Sequence, residues 1–292
     1  MTYFDLETGT IENEHLIVEY LRDSSLRLIR LIHKPTGINL FAETPDFNFD
    51  TARGKYYLRG GHRLWVSPES WDITYALEHQ DIQCDRLENG IVLKQNGTSA
   101  CNLSKEIRVE MDVHESRIRL TESIRNDTSM LLTCSPWGLS MMAPGGTAIA
   151  PLRTASEQPG GLLPDRNLVL WPYTHLTDPR LDLRDSVVMI HSNDRREALK
   201  IGIRSPQGWL AYLYHGLAFV IHSVYQDAVT YPDYGCNMEV YTNGVFVELE
   251  ILAGLSDLAP GHQVTLKEEW EVFPFSGTPE ALFDQLNRSF PQ

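Results

Sequence analysis

The chemistry-bearing residues of this chain fall in three short stretches. In GGHRLWVSPES, Gly60 to Ser70, the residues His62, Arg63, Trp65 and Glu69 lie close together. Charged hydrogen-bonders and an aromatic ring are what a polyhydroxylated ring needs, because a sugar offers hydroxyls at its edge and C–H groups on its faces. The competing reading is a Gly-Gly turn that leads into a core strand. In GVFVELEIL, alternation puts Val247, Leu249 and Ile251 on one strand face and Phe246, Glu248 and Glu250 on the other. The preceding segment repeats this with Glu239 and Tyr241, and a hairpin at TNG, Thr242 to Gly244, would make all five polar-face residues neighbours. Closely spaced acids in a cleft raise one another's pKa and create a general base, whereas on a wetted sheet face they are merely solvated. The third stretch, WPYTHLTDPR, offers Tyr173, His175, Asp178 and Arg180.

The elements that must position these groups are strands. Segments of period-two polarity recur, as in LIVEYL, KEIRVEMDV, SRIRLTESI and LAFVIHSVY, and turn signals such as KPTG, ENG, APGG and SPQG separate them. The one convincing helix is TPEALFDQLNRSF, with Thr278 as N-cap, Pro279 in the first turn and Ala281, Leu282 and Leu286 on one face. With no repeat at a fixed period, the expectation is an all-β antiparallel sandwich spanning residues 1–292 as one domain. Residues 150–184, rich in Pro, Gly, Asp and Arg, break the rhythm and read as a long loop covering a site.

Composition narrows the function classes. The 292 residues are 42% hydrophobic and 22% charged, which is globular and excludes disorder and helical membrane spans. A formal net charge of -14 argues against nucleic acid, which needs a basic face. No basic n-region precedes an apolar run near the N-terminus, so the expected location is the cytoplasm. Cys84, Cys101, Cys134 and Cys236 lack zinc-like spacing and read as reduced thiols, with a Cys84 to Cys101 bridge as the minor alternative. Motifs of serine hydrolases, zincins, P-loop proteins and dinucleotide-binding proteins are absent. Neither a metal nor a cofactor is called for.

The chain resembles the galactose mutarotase-like, or aldose 1-epimerase, superfamily over nearly its whole length. NEHLIVEYLRDSSLRLIRLIHKPTGINLFAE looks like the family's opening strands. LSKEIRVEMDVHESRIRLTESIRNDTSMLLTCSPWGL looks like its central meander, and VELEILAGLSDLAPGHQVTLKEEWEVF like its closing strands with a Leu-Glu pair before L-x-P-G. The resemblance implies a β-supersandwich that binds a carbohydrate, with Glu250 as the general base for anomer exchange and Arg63 at the sugar. It also implies a histidine acid in a His-Pro-Tyr motif, where this chain has Ser135, Pro136 and Trp137. Serine cannot act as an acid near neutral pH, so His175 or His62 becomes the candidate substitute. Trp137, Tyr173, Asp178, Glu239, Glu248 and Glu69 complete the expected ligand contacts, while Trp65 serves either the core or the stacking surface. The competing functions are a carbohydrate-binding protein without turnover and, less well supported, an accessory domain of a lyase or glycosidase.

Overall fold

The computed structural model describes residues 2–78, 81–97, 101–153 and 164–290. Its strands form two antiparallel sheets, of thirteen and ten strands, stacked face to face. In the larger sheet the central run is Arg27–His33, Gly54–Ser67, Leu132–Met142, Val247–Leu252, Met238–Thr242 and Leu199–Ile203. The smaller sheet has Trp209–Tyr214, Leu217–His222, Gln263–Pro274, Arg117–Asn126 and Leu103–Met111 at its centre. Alternate residues from both sheets, including Leu64, Val66, Leu249, Ile251, Ile107, Leu120, Phe219 and Trp270, meet in one apolar core. Among the described residues no helix is long and apolar enough to cross a membrane.

The helix Pro279–Ser289 has its N-cap at Thr278, whose side chain accepts from the Ala281 N–H. It buries Leu282, Phe283 and Leu286 against the outer face of the smaller sheet at Ile149, Trp209 and Val220. Ala281, expected on that face, is exposed instead, and Phe283 takes the contact.

The glycine pair at 60 and 61 lies inside a fourteen-residue strand and is not a turn before one. Gly60 and Gly61 have φ of 87° and 66°, in the left-handed region that favours glycine. A Cβ on Gly61 would come within 2.0 Å of the Leu28 carbonyl oxygen, so the backbones also approach too closely for any side chain. The bend lets one strand serve two partners. Residues Gly54 to Gly60 pair with Glu43–Thr51, and Gly61 to Ser67 pair with Leu132–Met142.

His62 is the first expectation to be corrected. It faces the inter-sheet core, fully buried, because strand alternation sends it opposite to Arg63. There its ring nitrogens meet Ser140 Oγ at 2.9 Å and Glu122 Oε1 at 3.0 Å, while Glu268 Oε2 accepts from the Trp270 indole at 2.7 Å. Gly138 makes room for this cluster, since a Cβ there would stand 2.3 Å from Glu268 Oε1 and 2.7 Å from Glu122 Oε2.

Burial governs the protonation of the cluster. It lifts Glu122 to about 8 and, with the Glu122 charge, Glu268 to about 7, and it depresses His62 to about 4. Above the ordinary carboxylate value of 4.5, the folded protein therefore keeps protons that the unfolded chain has lost, and stability falls as pH rises. His62 acts oppositely between pH 4 and 6.5, where only the unfolded chain takes up its proton, so that above pH 6.5 the carboxylates act alone. Urea denaturation should show the wild type losing stability from pH 6.5 to about 8.5 and Glu122→Gln losing markedly less. Parallel curves for the two proteins would contradict this account.

Candidate functional site

The opposite face of the same strands forms a cleft of about 270 Å³. This lies near the lower end of the roughly 300–1,000 Å³ typical of small-molecule sites. Its floor is built by alternation: Glu239 pairs with Glu250 and Tyr241 with Glu248 across the hairpin, and Leu139 of Leu132–Met142 stands opposite both Glu250 and Arg63. Asn243 shapes the hairpin, its side-chain oxygen accepting from the Val245 N–H at 3.0 Å, and Gly244 takes φ of 75°. Phe47, Phe49 and Leu58, from the hairpin that bends away at Gly60, wall one side.

Lys200 holds the centre. It sits on the Leu199–Ile203 strand, where Leu199, Ile201 and Ile203 face the core and Lys200 faces the cleft. Its ammonium lies 2.6 Å from Glu239 Oε2 and 2.9 Å from Glu250 Oε2, and packs over the rings of Trp137 and Trp171. Glu250 Oε2 also accepts from the Trp137 indole N–H at 3.0 Å, while Glu250 Oε1 has no partner. Burial penalises the Lys200 ammonium, but the charges of Glu239 and Glu250 outweigh this and raise its pKa well above that of a free lysine. Burial pushes Glu239 well above the usual carboxylate range and Glu250 above it too, with Lys200 opposing in both cases. One cation between two buried carboxylates leaves a negative charge, which an extra proton on the cluster neutralises.

Arg63 is the second buried cation. Nη2 donates to Glu248 Oε1 at 2.6 Å, the guanidinium stacks 3.9 Å from the Trp65 ring centroid, and Nε and Nη1 have no partner. Trp65 thus serves core and cleft at once: it lines the space, donates to Tyr56 Oη at 2.7 Å and packs edge-on against Trp137. Glu69 lines the exposed rim and accepts from the Tyr75 hydroxyl. The turn carrying both is pinned by Thr74, which bonds the Ser70 N–H and the Val66 carbonyl.

The structure therefore brings Arg63, Glu69, Trp137, Tyr173, Glu248 and Glu250 to one cleft, with Glu239 packed against Lys200 at its base. It does not bring His62, His175 or Asp178 there. His175 is exposed in a turn, where its carbonyl accepts from the Asp178 N–H. Asp178 is held by Arg180 through bonds of 3.0 and 2.8 Å, and Arg180 also donates to the Arg195 and Glu197 carbonyls, so this pair clamps the covering segment. That segment is not irregular throughout. Leu168–Leu170 joins the edge of the larger sheet and Leu181–Leu183 the edge of the smaller, while residues 154–163 lie outside the described residues. Tyr173 and Trp171 reach the site from it, and Thr174 Oγ1 bonds both the Lys200 N–H and carbonyl.

Lys200 was missed by reasoning from sequence, although alternation within LKIGI sets it apart from the apolar face. As for metals, His62, Glu122 and Glu268 place three donor atoms within 4.8 Å of one another, but protonation and the bonds to Ser140 and Trp270 already account for most of this cluster. In the cleft the buried carboxylates Glu239, Glu248 and Glu250 pair with cations.

No protein-family model matches the sequence, and no curated protein matches it. Solved structures do match in fold. A TPR-domain containing protein from Parabacteroides distasonis aligns at TM-score 0.63 and 13% identity over 94% of this chain, which spans 48% of that protein. A galactose mutarotase-like protein from Lactobacillus casei aligns at TM-score 0.58 and 10% identity, covering 91% of this chain and 100% of the other. A protein of Escherichia coli K12 named "putative aldose 1-epimerase" aligns at TM-score 0.55 and 12% identity, covering 92% and 100%. At these identities the likeness is one of architecture, and the architecture of this chain is the galactose mutarotase-like β-sandwich.

Proposed function

We propose that the cleft binds a neutral sugar by its anomeric end and exchanges its anomers, with Glu250 as general base and Lys200 as the proton-donating partner. One observation carries the reading: Glu250 Oε1 and Arg63 Nε and Nη1, an acceptor and two donors without partners, belong to side chains that line the same small space. Unpaired buried polar atoms cost about 1–3 kcal/mol each, and ring hydroxyls would satisfy them. Both cations are already paired with carboxylates, which disfavours phosphorylated or acidic sugars. Tyr241, lifted to about 12 by burial and by Glu248, stays protonated as a hydroxyl donor.

In this reading Glu250 takes the proton of the anomeric hydroxyl. The ring C–O bond breaks as a proton reaches the ring oxygen from the Lys200 ammonium, leaving an open-chain aldehyde that recloses on either face. Glu250 and Lys200 are in contact, so the proton taken by one can restore the other. No histidine lines the cleft among the described residues, and Lys200 is the charged donor nearest the base.

Exchange spectroscopy on reducing sugars tests this. Wild type should accelerate anomer interconversion, and Glu250→Gln should lose about 100-fold or more of that acceleration, the scale of removing a general base. Because burial raises Glu250 above the ordinary 4.5, activity should fall as pH drops through a midpoint above that value. Lys200→Met should abolish exchange even where circular dichroism shows it folded, and Lys200→Arg should retain binding. Sugar-dependent line broadening without acceleration in wild type would favour a second reading, binding without turnover, which the absence of a histidine acid supports.

A further inference from the structure

The aromatic lining of the cleft does not stop at its rim. Tyr75 and Phe49 both line the space, and both touch Trp71, the first at 4.9 Å between centroids in a tilted stack and the second edge-on at 6.2 Å. Trp71 is nevertheless 66% exposed. Tyr75 is itself locked against Phe49, Trp65 and Tyr56, so the outer indole rests on a rigid wall. A large ring held at a fixed angle with most of its surface in water has a stacking surface to offer, and this one continues the wall of a polar cleft outward.

We propose that Trp71 forms a second sugar subsite, and that the ligand is the reducing end of an oligosaccharide whose next ring stacks on this indole. The inference rests on the sugar reading of the cleft. It follows from continuity, because the cleft holds little more than one ring and a chain leaving it along the Tyr75 wall meets Trp71. The exposed Glu69, which accepts from the Tyr75 hydroxyl, stands beside that path to take hydroxyl hydrogens.

Calorimetry with matched pairs, glucose with maltotriose and cellotriose, xylose with xylotriose and mannose with mannotriose, tests the subsite in wild type, Trp71→Ala and Trp71→Phe. For at least one pair, wild type should bind the trisaccharide about tenfold more tightly than the monosaccharide, the scale of one stacking contact. Trp71→Ala should bring the trisaccharide within about twofold of the monosaccharide while leaving the monosaccharide affinity unchanged, and Trp71→Phe should keep part of the advantage. The subsite is overturned if wild type shows no trisaccharide advantage, if the advantage survives in Trp71→Ala, or if that variant weakens both ligands equally. Failure of every sugar to bind wild type removes the sugar reading itself, and the subsite with it.

Discussion

Everything in the cleft is arranged around one buried ammonium. Lys200 cannot be charged in a dry site without partners, and its partners come from two neighbouring strands, Glu239 from Met238–Thr242 and Glu250 from Val247–Leu252. Three strands must therefore keep register for the charges to meet, and a slip of one residue in any of them would turn a carboxylate or the lysine into the apolar core. Trp137 and Trp171 close over the ammonium from the Leu132–Met142 strand and the covering segment. The site thus draws on both local alternation and distant chain, and breaking one ion pair leaves a buried charge unmatched, a loss of about 3–5 kcal/mol.

A second polar cluster lies behind the cleft, where His62 and Ser140 of the larger sheet meet Glu122 of the smaller one. His62 and Arg63 are adjacent in sequence, as are Trp137 and Gly138, yet each pair divides between two separate networks. Period-two geometry makes this cheap: Gly54–Ser67 and Leu132–Met142 turn Arg63 and Trp137 to the cleft and His62 and Ser140 to the core, where the carboxylates of the smaller sheet meet them. Gly138 is the residue that allows it, since it withdraws a side chain where Glu122 and Glu268 need space. The two clusters differ in kind. The inner one balances its charge by holding protons, the outer one by recruiting cations together with a shared proton.

Alternation made much of this legible from sequence. The division of Val247, Leu249 and Ile251 from Phe246, Glu248 and Glu250 agrees with the structure, as do the TNG hairpin and the C-terminal helix. What failed depended on information that alternation does not carry. His62 attracted attention because it neighbours Arg63, although the parity that places Arg63 in the cleft excludes His62 from it. His175 and Asp178 lie in a segment without periodicity, and there residue type alone suggested chemistry where the structure shows a turn and an Arg180 clamp. Lys200 was overlooked for the opposite reason, since a lone lysine in a strand reads as a solvated edge until the strands beside it are known.

Charge also constrains what the cleft can hold. The chain carries a formal net charge of -14, and both cations facing the cleft are bound to carboxylates of the same site. An anionic ligand would have to displace Glu248 or Glu250 from its partner and then remain among the other acids, at a cost that one new contact could not offset. A neutral polyol needs no such exchange: in the proposed reading it accepts from the Arg63 nitrogens and donates to the Glu250 oxygen that have no partner, and every existing pair stays intact. In the proposed sugar reading, the pairing that stabilises the buried charges also selects the ligand, because it leaves hydrogen-bonding capacity in the cleft but no spare positive charge.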